Sequence, residues 1–138
     1  RLNNPAGHLD PGESPQEACV REVLEETAHV FTPIALLGIY YGRFQRPASE
    51  AWPQGEDISY MRFAFCGSVG DAIAGRSLDT GIVRTLWMTP DEIRATRSRH
   101  RSAYVLACMD DYLRGQRYPL DLVRTDASVY RRQTGGAT

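Results

Sequence analysis

The sequence predicts an α/β (α+β) fold in which a β-sheet is sandwiched between helices. Three observations indicate it: an amphipathic helical segment near the N-terminus, strand-like apolar segments in the middle of the chain, and a second amphipathic helix after them. Elements with one apolar face must bury that face against another layer, and helices on both sides of the strands satisfy this requirement. At 138 residues the chain has the length of one domain, which buries roughly two thirds of its unfolded surface.

The first helix has a clear start signal. Ser14-Pro15-Gln16-Glu17 has the spacing of a capping box, with proline at the first helical position. Downstream, Val20, Val23, Leu24 and Thr27 recur at helical spacing and predict the face that packs on the core.

Three carboxylates lie on the opposite face of this helix. Glu22, Glu25 and Glu26 fall within an arc of roughly 100° at 3.6 residues per turn. Like charges at this spacing destabilise a helix by roughly 0.2–0.5 kcal/mol per pair, and a bound divalent cation would remove that penalty. Carboxylate oxygens are the ligands that Mg²⁺ and Mn²⁺ prefer. The alternative is an acidic helix face that is simply solvated.

The middle of the chain is predicted to supply the strands. Residues 34–41 are apolar at both parities, which indicates a strand covered on both faces. Residues 59–66 alternate, with Met61 on the core face and Arg62 on the other, and residues 81–88 form a further strand that contains Trp87. The segments between these strands are predicted to be a long loop (residues 42–58) and a turn-rich linker (residues 67–80).

The remaining elements follow from local signals. Residues 1–9 are expected to be the end of a strand, and Thr89-Pro90-Asp91-Glu92 is expected to open a short helix. A helix over residues 102–114 would stop at Gly115. Its buried positions are predicted to be Val105, Cys108, Met109 and Tyr112. We expect one domain over residues 1–123 and a polar tail over residues 124–138, and fraying from Val123 onward.

Composition excludes several classes of function. A net charge of −1 gives no general attraction to nucleic acid or to a membrane surface, and the arginine-rich stretch 94–101 is expected to be solvated. All 16 basic residues are arginine, so lysine-based covalent catalysis is excluded, whereas the guanidinium fork suits phosphate recognition. Cys19, Cys66 and Cys108 lack paired spacing, which predicts reduced cysteines. With no signal peptide or spanning segment visible, we expect a cytoplasmic protein.

The spacing around the acidic helix resembles the Nudix box, a signature of metal-dependent diphosphate hydrolases. It comprises Gly7, five residues, Glu13, seven residues, and then Arg21-Glu22-Val23-Leu24-Glu25-Glu26-Thr27. Two positions depart from the pattern, with Ala28 in place of glycine and His29 in place of an aliphatic residue. Alanine there implies either about 1 kcal/mol of left-handed strain or a helix that runs slightly further.

The resemblance implies roles for individual residues. It assigns a Mg²⁺ ion, with Mn²⁺ as an alternative, to Glu22 and Glu26, helped by Glu25 and the carbonyl of Gly7. The general base varies within the family, and we favour Glu25, with Glu22 as another candidate and Glu56 and Asp57 left open. An orienting role falls to Arg21 and Glu13.

The resemblance also implies a fold and a substrate class. The Nudix fold is a mixed β-sheet between helices, whose first strands lie upstream of the box, so we expect this chain to hold at most the last few residues of those strands. Beyond the box, residues 4–9, 62–63, 101–102 and 115–120 are similar to a phosphatase branch of the family, which implies hydrolysis of nucleoside di- and triphosphates and of the thiamine pyrimidine precursor diphosphate.

Four residues are candidates for binding such a substrate: Arg62 and Arg101 for phosphate, and Tyr60 and Trp52 for stacking on a base. We expect the protein to be a monomer or a homodimer. Ordinary ion pairing and packing are the alternative roles. Two rival functions stay open. One is a Nudix-fold nucleotide-binding regulatory module without catalysis, and the other is a prenyl diphosphate isomerase that would use Cys19.

Overall fold

The computed structural model describes residues 1–132, so the last part of the predicted tail lies outside the described residues. The main elements are α1 (Pro15–Thr27), β1 (His29–Arg46), β2 (Glu56–Ala72), α2 (Pro90–Ala95) and α3 (Tyr104–Leu113). Three short 3₁₀ turns cover Arg97–Arg99, Leu120–Leu122 and Ala127–Tyr130. Both long helices contact β1. Within residues 1–132, no helix has the length and apolar character needed to cross a bilayer.

A long antiparallel hairpin formed by β1 and β2 is the only sheet in the described part of the chain. It contains both predicted central strands but extends well beyond them, so the predicted loop over residues 42–58 is wrong and shrinks to residues 47–55. The linker predicted over residues 67–80 is likewise wrong at its start, because β2 continues to Ala72.

Cross-strand pairs explain why polar sequence continues as strand. Arg43 forms an ion pair with Asp57 at 2.6 Å, and Arg46 forms one with Glu56 at 3.2 Å. Such pairs stabilise neighbouring strands by roughly 0.2–1 kcal/mol each. The pattern of apolar residues does not reveal these ion pairs, because their members are polar and lie on different strands.

The core has buried residues on α1, on β1 and on α3. Leu36 is almost fully buried, and Leu37, Val105 and Cys108 are also buried. The prediction that residues 34–41 are covered on both faces holds only at the centre, since Tyr41 is 70% exposed.

Two predicted strands are absent from the described residues. Residues 81–88 form an irregular segment without a sheet partner, and Val83 (92%) and Trp87 (72%) are mostly exposed. Their apolar pattern gave a strand signal, but a strand needs a neighbour to satisfy its backbone. Residues 1–9 contribute only an isolated bridge between Leu2 and His100.

Helix α1 begins and ends as its sequence requires. The Ser14 hydroxyl accepts from the Glu17 N–H and the Glu17 carboxylate accepts from the Ser14 N–H, so the predicted capping box is confirmed. Ala28 adopts a left-handed conformation with φ of 60°. Of the two alternatives for alanine at this position, the structure therefore has the strained helix end and not the longer helix. The Ala28 methyl group is buried, and burial of a methylene-sized group contributes about 0.8 kcal/mol, which offsets much of that strain. The predicted core stripe of α1 is only half-buried.

The other two helices largely match the sequence signals. Thr89 caps α2 by accepting from the Glu92 N–H, as predicted. Helix α3 begins at Tyr104 rather than at residue 102, and its chain turns at Gly115 with φ of +82°. Tyr112, which was predicted to be buried, is 48% exposed, so this part of the prediction is wrong.

The C-terminal segment docks on the start of α1. The Gln16 amide donates to the carbonyls of Leu120 (3.0 Å) and Val123 (3.1 Å), and the Tyr130 hydroxyl donates to Glu17 at 2.5 Å. The prediction that the chain frays from Val123 onward is therefore wrong for Ala127–Tyr130. The partners of this segment are side chains of α1, which the sequence of the tail alone could not indicate. The domain boundary at residue 123 stays a prediction.

Replacing Tyr130 with phenylalanine should lower the thermal midpoint at pH 7 and have a smaller effect at pH 3. The Tyr130 hydroxyl is the main cause that holds the pKa of Glu17 below its usual range, followed by Ser14. A lowered native pKa stabilises the fold above the ordinary glutamate pKa, and this stability is lost as pH falls through the lowered value. Circular dichroism melts at the two pH values measure the difference.

The matched control for this change is Tyr118→Phe. The Tyr118 hydroxyl has no hydrogen bond to the described residues, so its removal should leave the melts unchanged at both pH values. An identical pH dependence for the wild-type protein and Tyr130→Phe would contradict the docking of the tail on α1.

Candidate active site

The candidate site is built from helix α1 and the loop that precedes it. The capping box fixes the start of α1, and the second half of the helix presents the side chains of Glu22, Glu25 and Glu26 to one side. The loop over residues 6–13 folds back along that side, since the Ala6 N–H donates to Glu26 at 3.3 Å. The loop and the helix therefore lie together beside the carboxylates, as the spacing of the motif predicts.

Arg21 holds Glu13, Glu22 and Glu25 together. Its Nη1 donates to Glu22 at 2.7 Å and to Glu25 at 3.1 Å, and its Nε and Nη2 donate to Glu13 at 3.0 and 2.8 Å. Nη2 also donates to the His8 carbonyl at 2.8 Å, which ties the loop to the helix. The structure thus places Arg21 and Glu13 where an orienting role requires them.

The ion pair between Arg21 and Glu13 shifts the pKa of both residues. The hydrogen bond from Arg21 holds the pKa of Glu13 below its usual range, and Glu13 in turn raises the pKa of Arg21. Each partner stabilises the charged form of the other. One guanidinium, however, faces several acids, so the cluster keeps an excess of negative charge.

Gly7 lies directly against the Glu22 carboxylate. A Cβ atom built at Gly7 would lie 2.0 Å from Glu22 Cδ and 2.0 Å from Glu22 Oε1, far inside van der Waals contact. Only a residue without a side chain allows this approach of backbone and carboxylate. The close contact explains glycine at this position and brings the Gly7 backbone into the site.

Glu26 is the most perturbed acid of the group. Its pKa is raised to about 7, first by burial and then by the hydrogen bond and the charge of Glu22, with a smaller contribution from Asp79. Two carboxylates this close together cannot both ionise cheaply, which favours the protonated form of Glu26. Metal ligands must be deprotonated, so a divalent cation bound here would displace that proton.

Asp79 joins the site from outside the motif, and sequence reasoning missed it. Carboxylate oxygens of Glu22, Glu25 and Asp79 all lie within 4.8 Å of one another. Asp79 belongs to the segment that we predicted to be a turn-rich linker, more than fifty residues after the box. An aspartate in such a segment carries no distinguishing signal, because turns favour aspartate for backbone reasons alone.

The two other candidate bases do not reach this site. Glu56 and Asp57 lie at the far end of the hairpin, where they pair with Arg46 and Arg43. β1 begins next to the end of α1, and its 18 residues rise roughly 3.3 Å each, so about 60 Å of strand separates the hairpin tip from the carboxylates.

The four candidate substrate residues are not brought together with the carboxylates. Arg62 lies 5.6 Å from the Tyr104 ring centroid, Tyr60 packs against the same ring, and Arg46 lies 4.8 Å over the Trp52 ring at the hairpin tip. The backbone N–H of Arg101 donates to the Leu2 carbonyl. Within residues 1–132, none of the four forms a hydrogen bond or an ion pair with the acids of α1.

The three cysteines are free, as predicted. Cys19 lies on α1, where burial and then the charge of Glu22 raise its pKa to about 11. A thiol with this pKa is almost fully protonated at neutral pH and is a poor nucleophile. This disfavours the isomerase alternative, which would need a reactive Cys19.

Comparison with known proteins agrees with the geometry. The sequence profile of the NUDIX domain matches residues 1–108. Phosphatase NudJ of Escherichia coli (strain K12) is 29% identical over 121 residues, covering 88% of this chain and 72% of that protein, and phosphatase NudJ of Shigella flexneri matches equally.

A solved structure, a NUDIX hydrolase from Nitrosomonas europaea, is 47% identical with a TM-score of 0.78 and covers 91% of this chain and 79% of that one. This likeness confirms the predicted combination of helices and sheet as the fold class. With the family profile matching residues 1–108 and the box carboxylates converging in space, the chain belongs to the Nudix family and is a hydrolase.

Proposed function

We propose that this protein is a Mg²⁺-dependent phosphohydrolase that cleaves the diphosphate linkage of nucleoside di- or triphosphates or of small organic diphosphates. The observation that carries the proposal is the convergence of Glu22, Glu25 and Glu26 on one side of α1, where Arg21 holds Glu22 and Glu25, the Gly7 backbone approaches Glu22, and the Ala6 N–H donates to Glu26. Phosphatase is also the name of the curated relatives, although that name leaves their substrates open.

The residues of the site fit a hard divalent cation. All donors are oxygens, which Mg²⁺ and Mn²⁺ prefer: the carboxylates of Glu22, Glu25 and Glu26 and the carbonyl of Gly7. The raised pKa of Glu26 supports the same assignment, because crowded acids accept a positive charge readily. When bound, such a cation neutralises charge on the phosphates and lowers the pKa of a water ligand.

The protein's own residues then position and deprotonate the attacking water. Glu25 is our choice for the general base, because its side chain is 32% exposed, against 13% for Glu22, and so is the more open to a water molecule. In that role a Glu25 oxygen accepts the proton as the water attacks phosphorus and the bond between that phosphorus and the bridging oxygen breaks, releasing the leaving phosphate. Arg21 orients Glu25 and Glu22 through Nη1, which keeps both acids aimed at the same space.

Substrate recognition is predicted to use side chains outside the cluster of carboxylates. The roles of Arg62 and Arg101 toward phosphate and of Tyr60 toward the base stay predictions, whereas Trp52, at the tip of the hairpin, lies too far from the carboxylates to bind the same small substrate. Guanidinium groups bind phosphate through paired hydrogen bonds, and aromatic rings stack on bases. The partner is a small molecule, and we propose a cytoplasmic monomer or homodimer.

The alternative is a Nudix-fold nucleotide-binding regulatory module. Such a module would not need a complete set of acids, whereas Glu13, Glu22, Glu25 and Glu26 are all present and oriented. The likeness to hydrolases in both comparisons also favours catalysis.

A substrate panel tests the proposal. The purified chain is incubated with nucleoside di- and triphosphates and with thiamine-related diphosphates, in Mg²⁺ and in EDTA, and phosphate and diphosphate are measured separately. We expect turnover of at least one compound in Mg²⁺ and none in EDTA, because the acids alone cannot neutralise the developing charge. Absence of turnover across the panel, or equal turnover in EDTA, would contradict the proposal.

A further inference from the structure

We propose that Asp79 is a ligand of the divalent cation, contributed from outside the sequence motif, at a position that it shares with Glu22 and Glu25. This inference rests on the proposed function, because it adds a residue to the same metal centre. The ligand oxygens of the three residues lie within 4.8 Å of one another. Two oxygens bound to one Mg²⁺ lie at most about 4.2 Å apart, twice the metal–oxygen distance of about 2.1 Å, so the three acids lie near enough for one ion to draw their oxygens into its coordination shell.

The position of Asp79 is fixed by the end of helix α1. The last carbonyls of a helix lack partners within the helix, and here the chain after β2 supplies them. The Asp79 N–H donates to the Glu25 carbonyl at 2.9 Å, the Ile73 N–H donates to the Ala28 carbonyl at 2.8 Å, and the Thr85 hydroxyl donates to the Glu26 carbonyl at 3.3 Å. Three contacts therefore strap this segment along the helix end that carries the acids.

The charge balance at this position also favours a cation. Glu22 and Glu25 share one guanidinium, that of Arg21, whereas the Asp79 side chain has no ion pair and accepts no hydrogen bond within residues 1–132. A solvated aspartate usually avoids other carboxylates, because close like charges are unfavourable. The strap instead holds Asp79 beside two of them, and a bound dication would balance this arrangement.

The test is Mn²⁺ binding to the variant Asp79→Asn. Asparagine keeps the backbone N–H that bonds to Glu25 and nearly the same volume, and removes only the charge. Free Mn²⁺ is measured by electron paramagnetic resonance during titration, and thermal melts are recorded in EDTA and in Mn²⁺. We expect at least a tenfold weaker Kd and a smaller Mn²⁺-induced rise in Tm, with no fall in Tm in EDTA.

Controls separate ligation from general charge and from folding. Asp71→Asn removes another exposed carboxylate, at the end of β2, and should bind Mn²⁺ as the wild-type protein does. Asp79→Glu keeps the carboxylate and should recover part of the affinity.

The outcomes that overturn the inference differ from those that overturn the function. If the wild-type protein binds Mn²⁺ and hydrolyses its substrate, and Asp79→Asn binds Mn²⁺ equally well, Asp79 is not a ligand although the hydrolase stands. A fall in Tm in EDTA that accounts for the weaker binding would also overturn it, as the role would be structural. If the wild-type protein neither binds Mn²⁺ nor hydrolyses any compound, the proposed function fails as well.

Discussion

Replacing Glu26 with glutamine should lower Mg²⁺-dependent phosphate release at least about 100-fold. Glutamine keeps the side-chain oxygen that accepts from the Ala6 N–H, so the loop stays attached to the helix while one charge is lost. Removing groups that only support a metal ligand typically costs 10–100-fold, and loss of a ligand should cost at least as much. Initial rates of phosphate release at saturating Mg²⁺ measure the effect.

The same variant should fold normally, which separates chemistry from stability. Glu26 is crowded by Glu22, so removing its charge should leave the Tm in EDTA unchanged or raise it. Glu50→Gln is the matched control, since Glu50 is exposed in the hairpin loop and has no partner within residues 1–132. Undiminished turnover in Glu26→Gln would remove this residue from the metal centre.

Replacing Gly7 with alanine should also lower turnover by roughly 100-fold, through displacement of Glu22. The added Cβ would lie 2.0 Å from the Glu22 carboxylate, so the acid must move by an ångström or more. Misplacement of a catalytic group by about 1 Å can cost two orders of magnitude. When the rate of Gly7→Ala is measured at increasing Mg²⁺, it should saturate at a higher Mg²⁺ concentration and reach a lower maximum than the rate of the wild-type protein.

Gly70→Ala is the control for this glycine. A Cβ there would lie 3.7 Å from the Val30 carbonyl, an ordinary contact, so turnover should be unaffected. Neither Gly7 nor Gly70 has the positive φ that makes alanine strained, so both variants should fold. If Gly7→Ala keeps wild-type activity, the contact between the loop and Glu22 does not matter for catalysis.

The parts of the site that could be predicted from the sequence are the local ones. A capping box and acids on one helix face need only residues a few positions apart, because helix geometry sets their directions. Glu22, Glu25 and Glu26 therefore lie together as expected. Asp79 could not be predicted, because its place depends on a backbone contact with Glu25, far away in the chain.

The errors in the fold have a similar cause. The hairpin is longer than its apolar segments because pairs such as Arg43 with Asp57 form only across two strands. Residues 81–88 have the apolar pattern of a strand, yet Trp87 is exposed and the segment has no strand neighbour in the described chain. Periodicity describes one segment at a time, whereas a sheet is a property of at least two.

The single-residue junction at Ala28 has a mechanical consequence. Helix α1 ends at Thr27 and β1 begins at His29, so no slack separates the acid-bearing helix from the hairpin. An insertion at this junction would shift the acids relative to the hairpin and to Asp79, whereas insertions in residues 47–55 would leave them in place. The architecture thus lets the distal loop diversify while the reaction centre keeps its alignment.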